Sequence, residues 1–540
     1  MAQDRATEIQ SFVEGHVRRI EPLARDEAVA VWDAATTGTE EANERQARLA
    51  AERMRVYANR EEFERLRSWD ERPPDDPALA RQLRLLRLAY EQGQRDEATI
   101  DPLADLEKDI LRAYVNHRGV YQGQPLSDNE LASVLTTETD SSRLREAWEA
   151  GKSIGGKVAG RILEAVELRN DAARRAGYSD YYRQSLDLSE IGFDRLFGIL
   201  DDLERLTGEP FARAKADLDR ALASHYGLSA TDLRPWHYQD PFFQRAPSVG
   251  TVDLDPLFAA KDLQALAVRT FDGVGLDVRD VLARSDLFAR PGKDQHAFCI
   301  HVDRRGDVRV LCNLVANERW METLLHELGH AVYDKYLGSD LPYVLREPAH
   351  TLSTEAIAML FGRLPLSPEW LVRVVGTGQE EAESIGRLVV ERQRLAMLVF
   401  VRWVLVMVHF ERQLYSEPGH DLNTLWWDLV ERYQGLRRPE GRDEPDWAAK
   451  IHLALYPAYY QNYMLGELMA SHVSHWLAGE AGGLVDRPRA GEALRTALFG
   501  TGSRADWDTT LERATGERLN PGYFVADFVA RRDASGGVPP

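Results

Sequence analysis

Cysteine is scarce in this sequence: the 540 residues include two, Cys299 and Cys312. Small scaffolds braced by several disulfides are therefore excluded. A structural zinc site is also disfavoured, because such a site usually closes its ligand shell with cysteine. The first residues, MAQDRATEIQSFVEGH, lack a basic segment followed by an apolar core. We therefore expect no secretory signal and a reducing, cytoplasmic location.

Positive charge and long apolar runs are also in short supply. Lys and Arg number 67 against 87 Asp and Glu, and the net charge of −20 argues against nucleic acid as a partner. The most apolar run, residues 395–410, would span only about 24 Å as a helix, and Arg402 lies in its middle. Because the hydrocarbon core of a bilayer is about 30 Å thick, we interpret this run as a buried core helix and expect no membrane partner.

Strand patterns are nearly confined to residues 296–302 and 308–314. If Arg305-Gly306 forms the two-residue turn of a hairpin, Cys299 lies opposite Cys312. The free edge of such a hairpin is suited to holding an extended peptide by strand addition, and a purely structural sheet is the alternative. Elsewhere apolar residues recur at helical spacing, and the proline-rich segment 72–77 separates two charged N-terminal helices.

The most informative stretch is residues 320–361, in which His326-Glu327-Leu328-Gly329-His330 reads H-E-x-x-H. On a helix, residues four apart share one face, so both imidazoles can point at one metal ion. Glu327 lies beside them, where its carboxylate can take a proton from a metal-bound water. A core helix carrying two satisfied histidines is the alternative interpretation.

A second helix is expected to supply a third ligand, Glu355. Gly338 and Pro342 break the first helix, and Ser353 or Thr354 can cap a new one just before this glutamate. Two histidines and one glutamate leave a fourth position open for water, which is the arrangement of catalytic zinc.

A late aromatic segment, residues 450–463, carries hydrogen-bond donors. Tyrosine and neutral histidine side chains can each donate a hydrogen bond at pH 7. Donors of this kind suit the developing charge of an oxyanion, whereas ordinary core packing is the alternative that periodicity alone favours.

The chain resembles the angiotensin-converting enzyme family of zinc peptidyl-dipeptidases, and it is also similar to the thimet oligopeptidase and oligopeptidase F group. Asp340-Leu341-Pro342-Tyr343-Val344-Leu345-Arg346-Glu347, followed by Glu355-Ala356-Ile357, matches the converting-enzyme pattern between the second histidine and the glutamate ligand. Weaker matches at Ala147-Trp148-Glu149 and 168–173, and at Trp32 with its following 36–39, extend the resemblance from about residue 32 to about residue 476.

The resemblance implies roles for the residues of the H-E-x-x-H region. It makes His326, His330 and Glu355 the zinc ligands and Glu327 the general base and acid. It also places His296 on a substrate carbonyl and Ala297 against the peptide backbone.

The same resemblance implies roles for the late segment. Tyr463 and His452 would stabilise the transition state. Lys450 and Tyr460 would hold a peptide C-terminal carboxylate, with Gln239 as a poorly aligned helper.

Three departures from the family pattern stand out. The distance from His452 to Tyr463 is one residue longer than in converting enzyme. Asn462 replaces a chloride-binding arginine, which puts chloride activation in doubt. Met359 replaces an aspartate that orients a zinc-bound histidine, so another group must orient it or zinc affinity should suffer.

We therefore expect a mostly α, zincin-like metallopeptidase with two lobes, a deep cleft and a small antiparallel β-sheet beside the active site. Residues 1–540 would form a single unit, with 1–120 as a helical lid-like part, 290–360 as the strand hairpin and zinc helices, and 445–480 as a tyrosine-rich second wall. The expected function is zinc-dependent hydrolysis of short peptides with release of C-terminal dipeptides. Internal cleavage by an oligopeptidase and a catalytically idle peptide-binding protein are the alternatives.

Overall fold

Helices dominate the computed structural model, which describes residues 2–94, 97–247 and 253–529. The first helices are α1 (Ala2–Thr37), α2 (Glu40–Tyr57), α3 (Arg60–Asp70) and α4 (Pro77–Gly93). Residues 97–247 form α5 (Glu97–Asn116), β1 (Gly119–Tyr121), β2 (Gln124–Leu126), α6 (Asp128–Thr137), α7 (Ser141–Lys152), α8 (Ile154–Arg175), α9 (Tyr181–Leu188) and α10 (Phe193–Tyr226).

The remaining elements contain both the H-E-x-x-H segment and the late aromatic segment. They begin with α11 (Asp255–Phe258), α12 (Leu263–Val274), α13 (Arg279–Arg284), β3 (Phe298–His301), β4 (Val308–Leu311), α14 (Glu318–Lys335), α15 (Thr351–Gly362) and α16 (Pro368–Trp370). They end with α17 (Gln379–Ser416), α18 (Leu422–Gln434), α19 (Ile451–Leu455), α20 (Gln461–Ala481), α21 (Pro488–Ala497), α22 (Trp507–Thr515) and α23 (Gly522–Phe528). The mostly α fold class with small antiparallel sheets is confirmed.

The described residues divide into two compact units. The first contains residues 2–94, 253–389 and 465–523, and the second contains residues 97–247, 390–464 and 524–529. The segments 1–120 and 445–480 each contribute residues to both units, and their roles as a lid-like part and an active-site wall stay predictions.

The predicted break between the two N-terminal helices is present. Helix α3 ends at Asp70, and α4 begins at Pro77. Proline fits the first helical position because no intrahelical partner exists there for an N–H group. The side chain of Asp76 caps the helix by accepting a hydrogen bond from the Leu79 N–H at 2.7 Å.

The hairpin before α14 forms, but its predicted register is wrong. Cys299 lies opposite Val310 rather than Cys312. The reason is that the strands are connected by a six-residue loop from Val302 to Asp307. The Val302 N–H closes this loop by donating a hydrogen bond of 2.8 Å to Asp307 O. Arg304 and Gly306 both have positive φ in this loop. Both cysteines are free thiols.

A second hairpin, β1–β2, was missed by the sequence analysis. Gln122 and Gly123 connect its two three-residue strands with φ of 49° and 75°. Two successive positive-φ residues are typical of a type I′ turn, so Gln122-Gly123 is the signal that could have revealed it.

Helix α17 contains the apolar run 395–410. Among the described helices it is long and apolar enough to cross a membrane, and 61% of its most apolar stretch is buried within the protein. This burial favours the predicted core helix.

The segment 233–249 is an ordered, partly helical connection as far as residue 247, with Trp236 and Tyr238 buried. Its last two residues lie outside the described ranges.

The first unit has its core around α14 and α15. Leu324, Leu328 and Val332 of α14 are fully buried, which agrees with their helical spacing of four residues. Phe361 of α15 stacks on Phe271 of α12 with ring centroids 4.5 Å apart. Strands β3 and β4 also pack against α14, so the small sheet lies beside the H-E-x-x-H helix.

Candidate functional site

Helix α14 brings His326, Glu327 and His330 together. The helix begins at Glu318, where the side chain of Asn317 caps it by accepting a hydrogen bond from the Trp320 N–H at 2.9 Å. The spacing of four residues puts the two imidazoles on one face, with ring centroids 4.9 Å apart and planes at 81°.

Glu355 of α15 meets both histidines, as predicted. Its Oε2 lies 3.6 Å from His326 Nε2 and 3.8 Å from His330 Nε2. The predicted cap is wrong: the imidazole Nδ1 of His350 accepts a hydrogen bond from the Leu352 N–H, so α15 begins at Thr351. The earlier start leaves Ser353 and Thr354 inside the first turn. We call His326, His330, Glu355 and Glu327 the histidine cluster.

Gly329, inside the H-E-x-x-H sequence, allows α14 and α15 to approach closely. A Cβ atom at this position would lie 2.7 Å from Ala358 Cα and 3.0 Å from Ile357 O. Gly362 makes a similar approach to His326, whose Cβ would be 3.3 Å from an added Cβ. The reach of Glu355 to the histidines therefore depends on glycine at the crossing point of the two helices.

The histidine cluster fits a zinc ion. Its three ligand atoms lie within 4.8 Å of one another. Zinc–ligand bonds of about 2.0–2.1 Å in a tetrahedral arrangement separate two ligand atoms by about 3.3 Å, close to the observed 3.6 and 3.8 Å. Burial lowers the pKa of His326 to about 4 and of His330 to about 3, so both imidazoles are neutral, as metal ligands must be.

Glu327 lies in a dry environment next to this donor set. Its side chain is buried, and burial followed by the nearby Glu355 carboxylate raises its pKa to about 8. A carboxyl group whose pKa lies near neutrality suits proton transfer in both directions.

Met359 supplies no carboxylate for orienting a histidine. An added Cβ at Gly466 of α20 would lie 3.4 Å from Met359 Sδ, so the methionine fills the contact between α15 and α20. In the described part of the chain, Glu355 supplies the carboxylate that lies near each imidazole.

His296 and Ala297 lie immediately before β3, which packs on α14. The imidazole of His296 is 94% exposed, and its Nδ1 lies 3.3 Å from Asp294 Oδ1. One edge of β4 is taken by a bridge between Asp286 and Leu311. No strand pairs with the outer edge of β3 within the described ranges, so this edge fits the predicted strand addition.

A second group of predicted residues surrounds Lys450 in the other unit. The ammonium lies 5.3–5.6 Å from the ring centroids of Phe242, Trp403 and Tyr460 and donates a hydrogen bond of 2.6 Å to Gln244 Oε1. We call these five residues the lysine cluster. Lys450 is 9% exposed, and burial lowers its pKa to about 8. Lys450 therefore does not lie along a solvent-exposed surface.

Gln244 was missed by the sequence analysis, which named Gln239. The Gln239 side chain lies near the Tyr226 hydroxyl instead, where it opposes the rise in the pKa of Tyr226 that burial causes. No local pattern links Gln244 to Lys450, because 206 residues separate them in the chain.

His452, Tyr460 and Tyr463 lie together, although the spacing differs from the family pattern. The His452 ring centroid is 5.1 Å from that of Tyr460 and 6.4 Å from that of Tyr463. Burial, followed by the charge of Lys450, lowers the pKa of His452 to about 4, so the imidazole is neutral at pH 7. The Tyr460 hydroxyl accepts a hydrogen bond of 2.5 Å from the Trp403 indole N–H.

Two buried ionisable residues anchor the connection between His452 and Tyr463. Arg169 donates a hydrogen bond of 2.8 Å to Ala454 O, and Glu411 Oε1 accepts one of 2.7 Å from the Ala458 N–H. Ala458 has φ of +53°, a left-handed conformation that is uncommon outside glycine. These two hydrogen bonds hold the turn that connects His452 to Tyr463.

Asn462 is the residue that the sequence resemblance matches to a chloride-binding arginine. It is buried, and its Oδ1 is among the buried atoms without a hydrogen-bond partner in the described structure. The doubt about chloride activation stays a prediction.

Comparison with protein families places this chain beside a group of known peptidases. The family model peptidase M2, described as angiotensin-converting enzyme, matches residues 3–206 and 261–526, which is more than half of the chain. The matched ranges include the histidine cluster and most of the lysine cluster.

Curated relatives include both active and inactive proteins by name. Angiotensin-converting enzyme of Theromyzon tessulatum is 22% identical over 74% of this chain and 70% of its own length. The angiotensin-converting enzyme of Sus scrofa is 23% identical over 94% of this chain and 41% of its own length. A protein of Caenorhabditis elegans named inactive angiotensin-converting enzyme-related protein is 22% identical over 65% of this chain. The match spans 43% of that nematode protein, so the chain covers less than half the length of two of these relatives.

Replacing Gly329 by alanine should weaken the histidine cluster. The added methyl group would overlap α15, and overpacking typically costs about 1–3 kcal/mol. We expect a lower free energy of unfolding by chemical denaturation and weaker zinc binding in a competition titration with a chelator.

Gly15→Ala is the matched control for this change. Gly15 is also helical and in the same unit, but its nearest neighbour would be 3.8 Å from an added Cβ. Alanine should stabilise this site by up to about 1 kcal/mol and leave zinc binding unchanged. Equal effects of the two substitutions would contradict the close-contact explanation.

The anchor at Glu411 should give the protein a distinctive pH dependence. Burial raises the pKa of Glu411 to about 8, against the opposing effects of the Ala458 N–H and Arg169. The folded protein therefore binds more protons than the unfolded chain between the unfolded pKa, about 4.3, and about 8, and stability falls as pH rises through this window. Glu411→Gln keeps an acceptor for the Ala458 N–H but removes the titration. The free energy of unfolding of the wild type should fall relative to that of Glu411→Gln between about pH 5 and pH 8.

Glu411→Leu provides the complementary test of this anchor. It leaves the Ala458 N–H without an acceptor and should lower stability at every pH by about 1–3 kcal/mol. Parallel pH profiles for the wild type and Glu411→Gln would show that the carboxyl group titrates normally.

Proposed function

Because the chain belongs to the angiotensin-converting enzyme family, we propose that it is a zinc-dependent peptidase that releases dipeptides from the C-termini of short peptides. The observation that carries the proposal is the convergence of His326, His330 and Glu355 on one point, with the buried carboxyl of Glu327 beside them. Two imidazoles and one carboxylate are the donors of a catalytic zinc site.

The zinc would be held by His326 and His330 from α14 and by Glu355 from α15. When bound there, zinc polarises a substrate carbonyl and makes an attacking water more acidic. The remaining chemistry belongs to side chains of this protein.

Glu327 is the proposed proton carrier. Its carboxylate takes a proton from the attacking water and then gives that proton to the departing amine. The apolar surroundings and the neighbouring Glu355 both favour the protonated form that the second step requires. No side chain has to form a covalent bond to the substrate.

His452 and Tyr463 are the proposed donors to the oxyanion, on the basis of the sequence resemblance. A tyrosine hydroxyl and a neutral imidazole can each donate one hydrogen bond, and such donors stabilise the charge that develops on the carbonyl oxygen. Their mutual proximity, with ring centroids 6.4 Å apart, is consistent with a shared task.

The lysine cluster is the proposed binding site for the C-terminal carboxylate. Because the indole N–H of Trp403 donates to Tyr460, the Tyr460 hydroxyl still has its own proton to donate. Together with the Lys450 ammonium it can form charge-assisted hydrogen bonds, which are roughly twice as strong as neutral ones. His296 and Ala297, next to the outer edge of β3, are the proposed contacts for the peptide backbone.

Two alternatives remain distinct from this proposal. An oligopeptidase would cut internally and would have no need of the C-terminal carboxylate. The inactive name of the Caenorhabditis elegans relative motivates the second alternative, an idle peptide-binding protein. The presence of both histidines, both glutamates and Tyr463 argues against it, because a binding protein has no chemical need of all five. A cytoplasmic location stays a prediction.

Glu327→Gln should keep zinc and the fold but abolish hydrolysis. A general base is worth about 10²–10⁴-fold in rate, and glutamine has nearly the same shape without the proton-accepting carboxylate. Turnover of a fluorogenic peptide and metal content by mass spectrometry should be measured on the same preparation. Near-normal turnover would remove Glu327 from the mechanism.

Glu355→Ala is the companion variant, because it removes a ligand rather than the base. It should lose both zinc and activity, while the wild type and Glu327→Gln retain one zinc per chain. Full zinc content in Glu355→Ala would eliminate it as the third ligand. A wild type without zinc after careful purification would favour the idle binding protein.

The lysine cluster predicts that cleavage depends on a free carboxylate at the C-terminus of the substrate. A peptide with a free C-terminus should lose dipeptides, and its C-terminally amidated version should be cut much more slowly. Lys450→Ala should erase this difference, whereas Lys108→Ala, an exposed lysine in the same unit, should preserve it. Identical rates and cut sites for both peptides, read by mass spectrometry, would favour an oligopeptidase.

A further inference from the structure

Arg402 is a buried cation that the proposed peptidase mechanism does not use. It lies in the middle of the apolar run of α17, between the fully buried residues Val401 and Trp403, and is itself 4% exposed. Burial of a charge is costly unless an opposite charge compensates it. Burial lowers the pKa of Arg402 to about 10, so the guanidinium is still charged at pH 7.

The partners of Arg402 in the protein are neutral. Its Nη2 donates hydrogen bonds to Thr207 Oγ1 and, at 3.4 Å, to Glu204 O. The guanidinium lies 5.2 Å from the Phe211 ring centroid, and its Nε has no hydrogen-bond partner. No carboxylate lies within ion-pair distance of Arg402 in the described part of the chain.

The Glu204 carboxylate raises the pKa of Arg402 from a distance but forms no ion pair with that guanidinium. Its oxygens pair with Arg432 at 3.1 Å, while Arg402 contacts only its backbone carbonyl. Asp201 is exposed to solvent, and it is not among the groups that shift the pKa of Arg402.

A hollow of about 790 Å³ adjoins Arg402 between α10, α17 and α18. The other three cations lining it each have a carboxylate partner: Lys215 pairs with Asp219 at 2.8 Å, Arg432 with Glu204, and Arg205 with Asp202 at 3.0 Å. Arg402 is therefore the unpaired cation of this hollow among the described residues. Phe211 and Tyr433, which are themselves largely buried, also border the hollow.

We propose that this hollow binds a monoanionic organic carboxylate with an aromatic body, separately from the peptidase site. The carboxylate accepts hydrogen bonds from the Arg402 guanidinium, and the ring packs against Phe211 and Tyr433. One unpaired cation matches one negative charge, and the nearby carboxylates of Glu204 and Asp219 disfavour a dianion such as phosphate. Guanidinium presents planar, paired donors that match a carboxylate.

Phenylacetate is the probe, with phenylacetamide as its neutral counterpart. The titrations use full-length Lys450→Ala protein, because the lysine cluster is itself a proposed carboxylate site. Isothermal calorimetry should give one site with a dissociation constant on the order of 0.1–1 mM. Phenylacetamide should bind at least about tenfold more weakly, because it lacks the charge.

Two arginines that line the same hollow provide the matched comparison. Adding Arg402→Met to the Lys450→Ala protein should weaken phenylacetate binding at least about tenfold, since the charged donor is lost. Adding Arg205→Met, which removes an exposed arginine already paired with Asp202, should leave the affinity within about twofold. If the Arg402→Met chain does not fold by circular dichroism, Arg402→Lys takes its place and should bind more weakly, because it keeps the charge but loses the planar donors.

Three results would overturn the proposal. They are equal phenylacetate binding with and without the Arg402 substitution, equal binding of phenylacetamide, and no phenylacetate binding at 10-fold above the expected range. None of these results depends on hydrolysis. Failure of this site and failure of the proposed peptidase function are therefore distinguishable.

Discussion

The close contact of α14 with α15 at Gly329 is the constraint on which the histidine cluster depends. Because a Cβ added at Gly329 would lie 2.7 Å from Ala358 Cα, glycine allows a separation of the two helices that any side chain would increase. That separation decides whether a glutamate side chain from one helix can reach two imidazoles on the other. The ligand set is thus a consequence of backbone packing as much as of the ligating residues themselves.

Burial then gives each member of the cluster its chemical state. The same low-dielectric surroundings keep the two imidazoles neutral and favour a protonated Glu327. The second unit uses the same principle differently, since Lys450 is surrounded by three aromatic rings and an amide rather than by a carboxylate. In both places a charged or polar side chain can still bind a ligand, because groups of the protein itself do not occupy all of its donor or acceptor atoms.

Local patterns in the sequence predicted the features that depend on local geometry. The spacing of His326 and His330 and the proline break before α4 each need only a few consecutive residues, and both predictions are confirmed. Glu355 was also found from sequence, because a helix break precedes it at a short distance. The hairpin register failed because the loop residues Arg304 and Gly306 take positive φ, which lengthens the connection beyond a two-residue turn. Gln244 could not be found, since its relation to Lys450 arises only when distant segments fold together.

The left-handed turn at Ala458 has a consequence for the sequences of related proteins. By the sequence resemblance, the connection from His452 to Tyr463 is one residue longer than in converting enzyme, and the buried Glu411 binds the N–H of its left-handed residue, Ala458. Neither change is useful alone: the longer loop without the carboxyl leaves a backbone donor unsatisfied, and the carboxyl without the longer loop is a buried acid with no partner. We therefore expect that relatives with an added residue in this loop also have a glutamate at the facing position of the long helix. The length of the loop in an aligned sequence would then predict which residue stands at that position of the helix.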